Sequence, residues 1–296
     1  MYMSRVILSF LRLLRPHQWT KNLLCLLPLV LSHRWQEHHV VLSSVIAAVT
    51  FSVMASLIYV INDMMDVEAD RAHPKKRLRP LASGVVSIWA GVAIAVVLGG
   101  LIVALACWQP WGAQRWLIVY LLAAVAYSWR LKNYLALDVV VLSLFYGLRV
   151  LYGGAAAGIQ VSVWTMVFCL FLFLTLALVK RYSEVDLMDA SDNGMTGSRR
   201  PYRPQDRAVL LGLACASSNT AILVVGLYLN SPEVRAIHQH PQWLWLLLPA
   251  LVYWLARVLI IMHRGQMHHD PVVFALRDRA SWLVLAWILA VLVVSR

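Results

Sequence analysis

The stretch Asn62 to Gly84, NDMMDVEADRAHPKKRLRPLASG, crowds acids and bases into one short segment between two apolar runs. Read as a helix continued past Ile61, it places Asp63, Asp66 and Asp70 within about 60° of one another, with Asn62 about 100° to one side. Three carboxylates on one face near a low-dielectric boundary repel each other. Protonation or a divalent cation relieves that repulsion. Hard oxygen donors suit Mg2+, which keeps several waters and bridges to substrate phosphates. Lys75, Lys76, Arg77 and Arg79 follow directly. Carboxylates for a metal beside cations for phosphate is the pairing a diphosphate substrate requires. The alternative is a solvated loop whose charges pair among themselves.

The elements that must position these residues are membrane helices. The chain of 296 residues is 61% hydrophobic and 14% charged, and many apolar stretches approach the ~20 residues that cross a bilayer. The expectation is an all-α polytopic membrane protein, a single integral membrane domain over residues 1–296. A β-barrel would show short alternating segments instead. The N-terminal apolar run follows Arg5, Arg12 and Arg15 but lacks the small-residue cleavage site of a signal peptide. The apolar runs predict nine spans, at roughly 20–36, 40–61, 86–107, 113–130, 136–156, 163–181, 208–229, 243–263 and 281–295. Pro28 interrupts the first, and the last is short. The two largest loops on the inner side follow the second and sixth spans, a hint of two related halves.

The net charge of +12 raises the possibility of nucleic acid, and the placement of the charge argues against it. With the N-terminus inside, most of the 26 Lys and Arg residues fall on the inner segments, and only Arg34, Arg115, Arg235 and Arg296 on the outer ones. Arg149 and Arg257 fall within spans. This is the positive-inside pattern, and it sets N-in and C-out. Of the 14 acids only Glu37 and Glu233 lie outside, which that rule does not predict, so the inner acids point to chemistry.

The N-D-x-x-D-x-x-x-D pattern, followed by a basic turn ending R-P-L-A-S-G, resembles the first aspartate-rich motif of the UbiA superfamily of intramembrane prenyltransferases. The chain is most similar to the branch of decaprenyl-phosphate phosphoribosyltransferases. That branch looks like R-P-x-Q-W-x-K-N near the N-terminus, matched by Arg15 to Asn22. Its longer aspartate motif matches Asn62 to Pro80 at every fixed position. Its Y-S-x-x-L-K and following aspartate match Tyr127, Ser128, Leu131, Lys132 and Asp138. Leu148-Arg149 with Gly153-Gly154, and Lys180-Arg181-Tyr182 with Glu184, complete the correspondence.

The resemblance implies nine transmembrane helices around a cavity at the cytoplasmic side, in a bacterial cytoplasmic membrane. It implies transfer of 5-phosphoribose from phosphoribosyl pyrophosphate to a polyprenyl phosphate for cell-envelope synthesis, with Mg2+ on the departing diphosphate. Asp63, Asp66 and Asp70 are then the catalytic, metal-binding carboxylates. Asn22, Asn62, Tyr127 and Tyr182 join the substrate-binding set. Lys75, Arg77 and Arg79 take donor phosphates, and Lys21, Lys132, Lys180 and Arg181 take the second phosphate and the acceptor. A lipid phosphate is already an anion and needs cationic anchoring, not a general base. Juxtamembrane cations also bind anionic membrane lipids, the plainer reading of each. A homo-oligomer follows from the branch alone. Two other readings stay open: a conventional prenyltransferase acting on an aromatic or other polar acceptor, and a transporter or lipid-binding scaffold.

Asp138 and Arg149, eleven positions apart on one helix, lie about 20° from each other, with Arg149 ~16 Å deeper. A charge at that depth faces a cavity or a partner. The expectation is a polar cavity wall for Arg149 and a phosphate or metal site for Asp138, against a structural ion pair. Gly153-Gly154 point to close helix packing. Glu184 and Asp186 could bind metal, though their spacing departs from the superfamily's second D-x-x-x-D motif. Asp189 and Asp192 read as loop acids. The four cysteines read as packing residues, and His38-His39 and His268-His269 as interface residues.

Overall fold

The structure, a computed structural model, describes residues 9–74, 76–189, 201–232, 234, 239–267 and 271–295, with backbone alone at 187–189. Lys75, Asp192, the side chain of Asp189 and the pair His268-His269 lie outside the described residues. Among those described, every regular element is helical. In chain order they are a 3-10 run Pro16–Leu26, α1 (Leu27–Leu31), α2 (His38–Met65), α3 (Val67–Arg71), α4 (Ile88–Cys107), α5 (Trp111–Trp129) and α6 (Leu137–Ala157). They continue with α7 (Val163–Asp189), α8 (Arg207–Leu229), α9 (Leu247–His263), α10 (Pro271–Arg277) and α11 (Arg279–Val294).

Six helical segments among the described residues are long and apolar enough to cross a membrane: His38–Met65, Ile88–Cys107, Leu137–Ala157, Val163–Asp186, Pro204–Leu229 and Pro241–His263. They coincide with six of the nine expected spans. The expected span at 113–130 is the 19-residue α5, and the last is the 16-residue α11.

The first expected span differs in kind. It is not one α-helix but an 11-residue 3-10 run leading into the five-residue α1. A 3-10 helix rises about 2.0 Å per residue against 1.5 Å for an α-helix, so the two pieces together reach roughly 30 Å. Proline places both starts: Pro16 and Pro28 each sit in a first turn, where a missing N–H costs nothing.

The chain divides into two compact units, Met1–Arg130 with Leu148–Val161, and Leu131–Gly147 with Ser162–Arg296. In the first unit the 3-10 run lies along α2 and is stapled to it by side chains. Asn22 Nδ2 donates to Ser52 Oγ at 3.1 Å, and Trp19 Nε1 to Ser56 Oγ at 2.9 Å. Ser56 Oγ in turn donates to the Leu14 carbonyl at 2.9 Å. Ser52, Ser56 and Asp63 share one face of α2, so the R-P-x-Q-W-x-K-N segment reads out that face turn by turn. Deeper in the unit, Gln109 Nε2 donates to Thr50 Oγ1 at 2.9 Å while its carbonyl accepts from Tyr152. Buried polar groups in an apolar surrounding need such partners.

In the second unit α7 and α8 form the most extensive pairing, and Ser217 Oγ donates to the Phe171 carbonyl at 2.9 Å. Arg257, a charge within a span, donates from both terminal nitrogens to Asp278, at 2.7 and 2.9 Å. Asp278 also caps α11 by accepting from the Ser281 N–H at 2.9 Å. Burial pushes its carboxyl up, but the bonds from Arg257 and Ser281 outweigh that and hold it below the ordinary carboxylate range.

Gly153 decides how close the 3-10 run can come. A Cβ there would lie 2.0 Å from the Cys25 carbonyl oxygen, backbone against backbone. At Gly154 a Cβ would lie 2.5 Å from a Val161 side-chain carbon and 2.8 Å from the Ile159 carbonyl. The two glycines therefore serve close packing, as expected. Gly153→Ala should destabilise the purified protein by ~3 kcal/mol or more, since neither backbone can yield. Gly99→Ala, where a Cβ meets nothing within 4 Å, should be neutral or stabilising by about 0.5–1 kcal/mol. Thermal unfolding in detergent compares the two.

Candidate active site

The carboxylates of the aspartate motif stand at a helix break, not on one continuous helix. The expected extension of α2 stops at Met65, and Asp66, at φ −95° and ψ 7°, is both the C-cap of α2 and the N-cap of α3. Aspartate is a weak helix former, and its side chain competes for backbone groups, which favours such a joint. Asp63 and Asp70 are 4% and 3% exposed, whereas Asp66 is half-buried.

The break lets Asp63 and Asp70 converge on one cation. Arg79 Nη1 donates to Asp70 Oδ2 at 2.6 Å and to Asp63 Oδ1 at 3.1 Å. Asp63 Oδ1 also accepts from Arg15 Nη2 at 2.7 Å. The basic turn is folded back to allow this. Arg71 Nε donates to the Ala82 carbonyl, the His73 ring accepts from the Lys76 N–H, and Gly84 takes φ 77° to close the turn. Arg15 is itself in the left-handed region, at φ 51°, with its guanidinium 4.8 Å from the Tyr59 ring centre. A bulky residue there is a genuine outlier, and such strain persists where surrounding contacts over-determine it.

Two of the three expected metal carboxylates are thus brought together, and the third sits at the joint beside them. Among the described residues no group of three or more His, Cys, Asp or Glu is gathered as a ready metal cage. The chemistry of the pair still suits a hard divalent cation. Two carboxylates aim oxygens at one positive centre, and Mg2+ completes its shell with water and phosphate oxygens. Asn62 is half-buried, and Arg77 and Lys76 are exposed on the same basic turn. Lys21 and Tyr127 are half-buried in the same unit.

Arg149 lies in the first unit at 8% exposure. Its Nε donates to Asn22 Oδ1 at 2.9 Å and Nη2 to Tyr120 OH at 3.3 Å. The guanidinium stands 5.0 Å from the Phe51 ring centre and 5.3 Å from that of Tyr120, within cation–π range. Asn22 and Arg149, both expected to bind substrate, are here bonded to each other.

The second unit holds another charged cluster. Asp138 is fully buried and accepts from Arg181 Nε at 2.7 Å and from Tyr202 OH at 2.6 Å. Arg181, 2% exposed, also pairs with Glu184. Asp138 is therefore matched to Arg181, not presented alone to a ligand. Lys132 and Lys180 are half-buried in the same unit. Tyr182 is 1% exposed, and its hydroxyl accepts from Arg207 Nε at 2.9 Å and meets His263 Nδ1 at 3.0 Å. Arg207 pairs with Asp186 at 2.6 Å. Glu184 and Asp186 thus each have an arginine partner.

Sequence reasoning left Arg15, Tyr202 and Arg207 outside the candidate site. Arg15 opens the first matched motif, so a signal existed. Tyr202 and Arg207 carry no motif, and folding alone brings them to Asp138, Tyr182 and Asp186.

Residues 23–280 match the UbiA prenyltransferase family. The chain is 34% identical over 293 residues to the uncharacterized protein y4nM of Sinorhizobium fredii, covering 99% of this chain and 57% of that one. The chain therefore spans little more than half the length of that relative. It is 31% identical over 293 residues to the decaprenyl-phosphate phosphoribosyltransferase of Mycobacterium tuberculosis, covering 97% of this chain and 94% of that one. In structure it resembles a UbiA homolog from Archaeoglobus fulgidus bound to GPP and Mg2+. The TM-score is 0.68 at 17% identity, over 96% of this chain and 99% of that one, a likeness of fold. The membrane helices, the paired buried carboxylates and these matches lead to one conclusion: the chain is an integral membrane transferase that belongs to the UbiA prenyltransferase family.

Proposed function

We propose that the chain transfers 5-phosphoribose from phosphoribosyl pyrophosphate to a polyprenyl phosphate in the bacterial cytoplasmic membrane, releasing diphosphate. The observation that carries this reading is the convergence of Asp63 and Asp70 on Arg79 beside an exposed basic turn. The near-full-length likeness to a decaprenyl-phosphate phosphoribosyltransferase supports the donor and acceptor. The proposed topology has nine spans, the N-terminus inside and a cavity on the cytoplasmic side.

In this reading Asp63, Asp66 and Asp70 hold Mg2+, which when bound neutralises the leaving diphosphate. Arg77, Arg79 and Lys75 bind the donor's phosphates from the basic turn. Lys21, Lys132, Lys180 and Arg181 anchor the donor's 5-phosphate and the acceptor's phosphate. An oxygen of the lipid phosphate attacks the anomeric carbon as the bond from that carbon to the diphosphate oxygen breaks. The configuration inverts, and the electron pair leaves on diphosphate. Positive charge that builds on the ribose ring is stabilised by the nearby carboxylates. An apolar groove of about 430 Å³ between the 3-10 run and α2, lined by Trp19, Leu23, Leu26, Val45 and Val49, suits a substrate with an isoprenoid tail.

A second reading, transfer of a prenyl group from a prenyl diphosphate, is favoured by the family match and uses the same leaving group. Reconstituted membranes with Mg2+ and one of two labelled donors separate them. Label should pass from phosphoribosyl pyrophosphate into lipid, and passage only from prenyl diphosphate would overturn the proposal. Asp66→Asn and Asp63→Asn should each lower kcat by roughly a hundredfold or more while the protein stays inserted and folded. Full activity in both variants, or turnover indifferent to EDTA, would remove the metal assignment. Arg15→Gln should lower kcat by about tenfold, because it releases one of the two cations that aim Asp63.

A further inference from the structure

Asp138 is fully buried at the head of α6. Both of its oxygens are used. Arg181 Nε donates to Oδ2 at 2.7 Å, and the Tyr202 hydroxyl donates to Oδ1 at 2.6 Å. The same hydroxyl accepts from the Ala136 N–H at 3.2 Å. Ala136 stands at φ 61°, in the left-handed region that L side chains rarely adopt. Such a conformation endures where neighbouring contacts fix it, and the bond to Tyr202 is one of them.

Ala136 joins the 3-10 turn Leu131–Asn133, which carries Lys132, to α6, which carries Asp138. One hydroxyl therefore ties together the Lys132 turn, the Asp138 carboxylate and, through that carboxylate, the Arg181–Glu184 pair. Tyr202 itself is 7% exposed and stands outside the long apolar helices. Burial first, then its bond to Asp138 and the charge there, push its hydroxyl well above the ordinary phenol range, so it remains a donor at working pH.

We propose that Tyr202 is a positioning residue: its hydroxyl orients Asp138, and through that carboxylate the Arg181 guanidinium, to receive a phosphate-bearing substrate. This rests on the reading of Arg181 as a phosphate ligand. A hydrogen bond to a charged group is the kind whose loss is felt at about tenfold or more in rate when it orients a reacting array.

The test is a double-mutant cycle of Tyr202→Phe and Asp138→Asn, with thermal unfolding measured alongside. It uses whichever labelled donor the wild type turns over. Tyr202→Phe should lower kcat/KM about tenfold or more. In the Asp138→Asn background the same change should alter it less than about twofold, because the hydroxyl acts through that carboxylate. Wild-type activity in Tyr202→Phe, or effects that multiply in the double variant, would overturn the proposal. If Tyr202→Phe does not fold, Ala136→Gly is added, which removes the backbone strain the hydroxyl restrains. Fold restored with activity still low supports positioning; fold and activity restored together show a merely structural role and overturn it. A wild type that takes prenyl diphosphate in place of the ribose donor defeats the proposed function and leaves this cycle to be read unchanged. One that turns over neither donor defeats both.

Discussion

Burying two carboxylates at the edge of a membrane helix is the constraint around which the first unit is organised. Asp63 and Asp70 are almost wholly removed from solvent, and an unpaired carboxylate in such a place carries a desolvation penalty of several kcal/mol. Two like charges add repulsion that a low dielectric amplifies. The chain answers with Arg79, returned by the basic turn, and with Arg15, itself a left-handed residue at the start of the 3-10 run. The staples Asn22–Ser52 and Trp19–Ser56 hold that run against α2, and Gly153 lets it approach α6. Each of these features serves to keep guanidinium groups at the two carboxylates.

The second unit solves a similar problem with different parts. Asp138 is buried against Arg181, and a strained non-glycine residue again stands close by, Ala136 in place of Arg15. Here a tyrosine hydroxyl supplies the second donor where the first unit uses a second arginine. The difference matters chemically. A guanidinium is itself a phosphate ligand and can exchange a carboxylate for a phosphate oxygen. A neutral hydroxyl neither adds charge nor competes for the anion; it leaves Arg181 as the cation of the cluster and fixes its partner.

The proposed function places a diphosphate-bearing donor at the carboxylate pair that the arginines compensate. In the proposed function this charge arrangement addresses the diphosphate, common to prenyl diphosphates and to phosphoribosyl pyrophosphate. What distinguishes a ribose donor is its additional phosphate, and the proposed function assigns that demand to the remaining lysines and arginines. A surplus of cations over acids at these segments is consistent with substrates that bring several phosphate groups.

Length and hydropathy were enough to read helices, and six of the expected spans reappear because a 20-residue apolar run admits few other folds in a bilayer. The spacing of Asp63, Asp66 and Asp70 marked the candidate site, since three acids beside a basic turn are expensive wherever they fold. Local pattern could not show that α2 breaks at Asp66, that the first span is a 3-10 run, or that Arg15 reaches Asp63. Those depend on contacts made across 48 residues in the case of Arg15 and Asp63. Likewise Asp138 and Arg149, which helix geometry placed on one face, find separate partners in separate units. Sequence alone therefore determined which charges must be compensated, because composition and membrane depth set the cost of leaving them bare. Tertiary structure decided which partner compensates each, because a carboxylate accepts whichever donor the packing of distant backbone brings within hydrogen-bond reach.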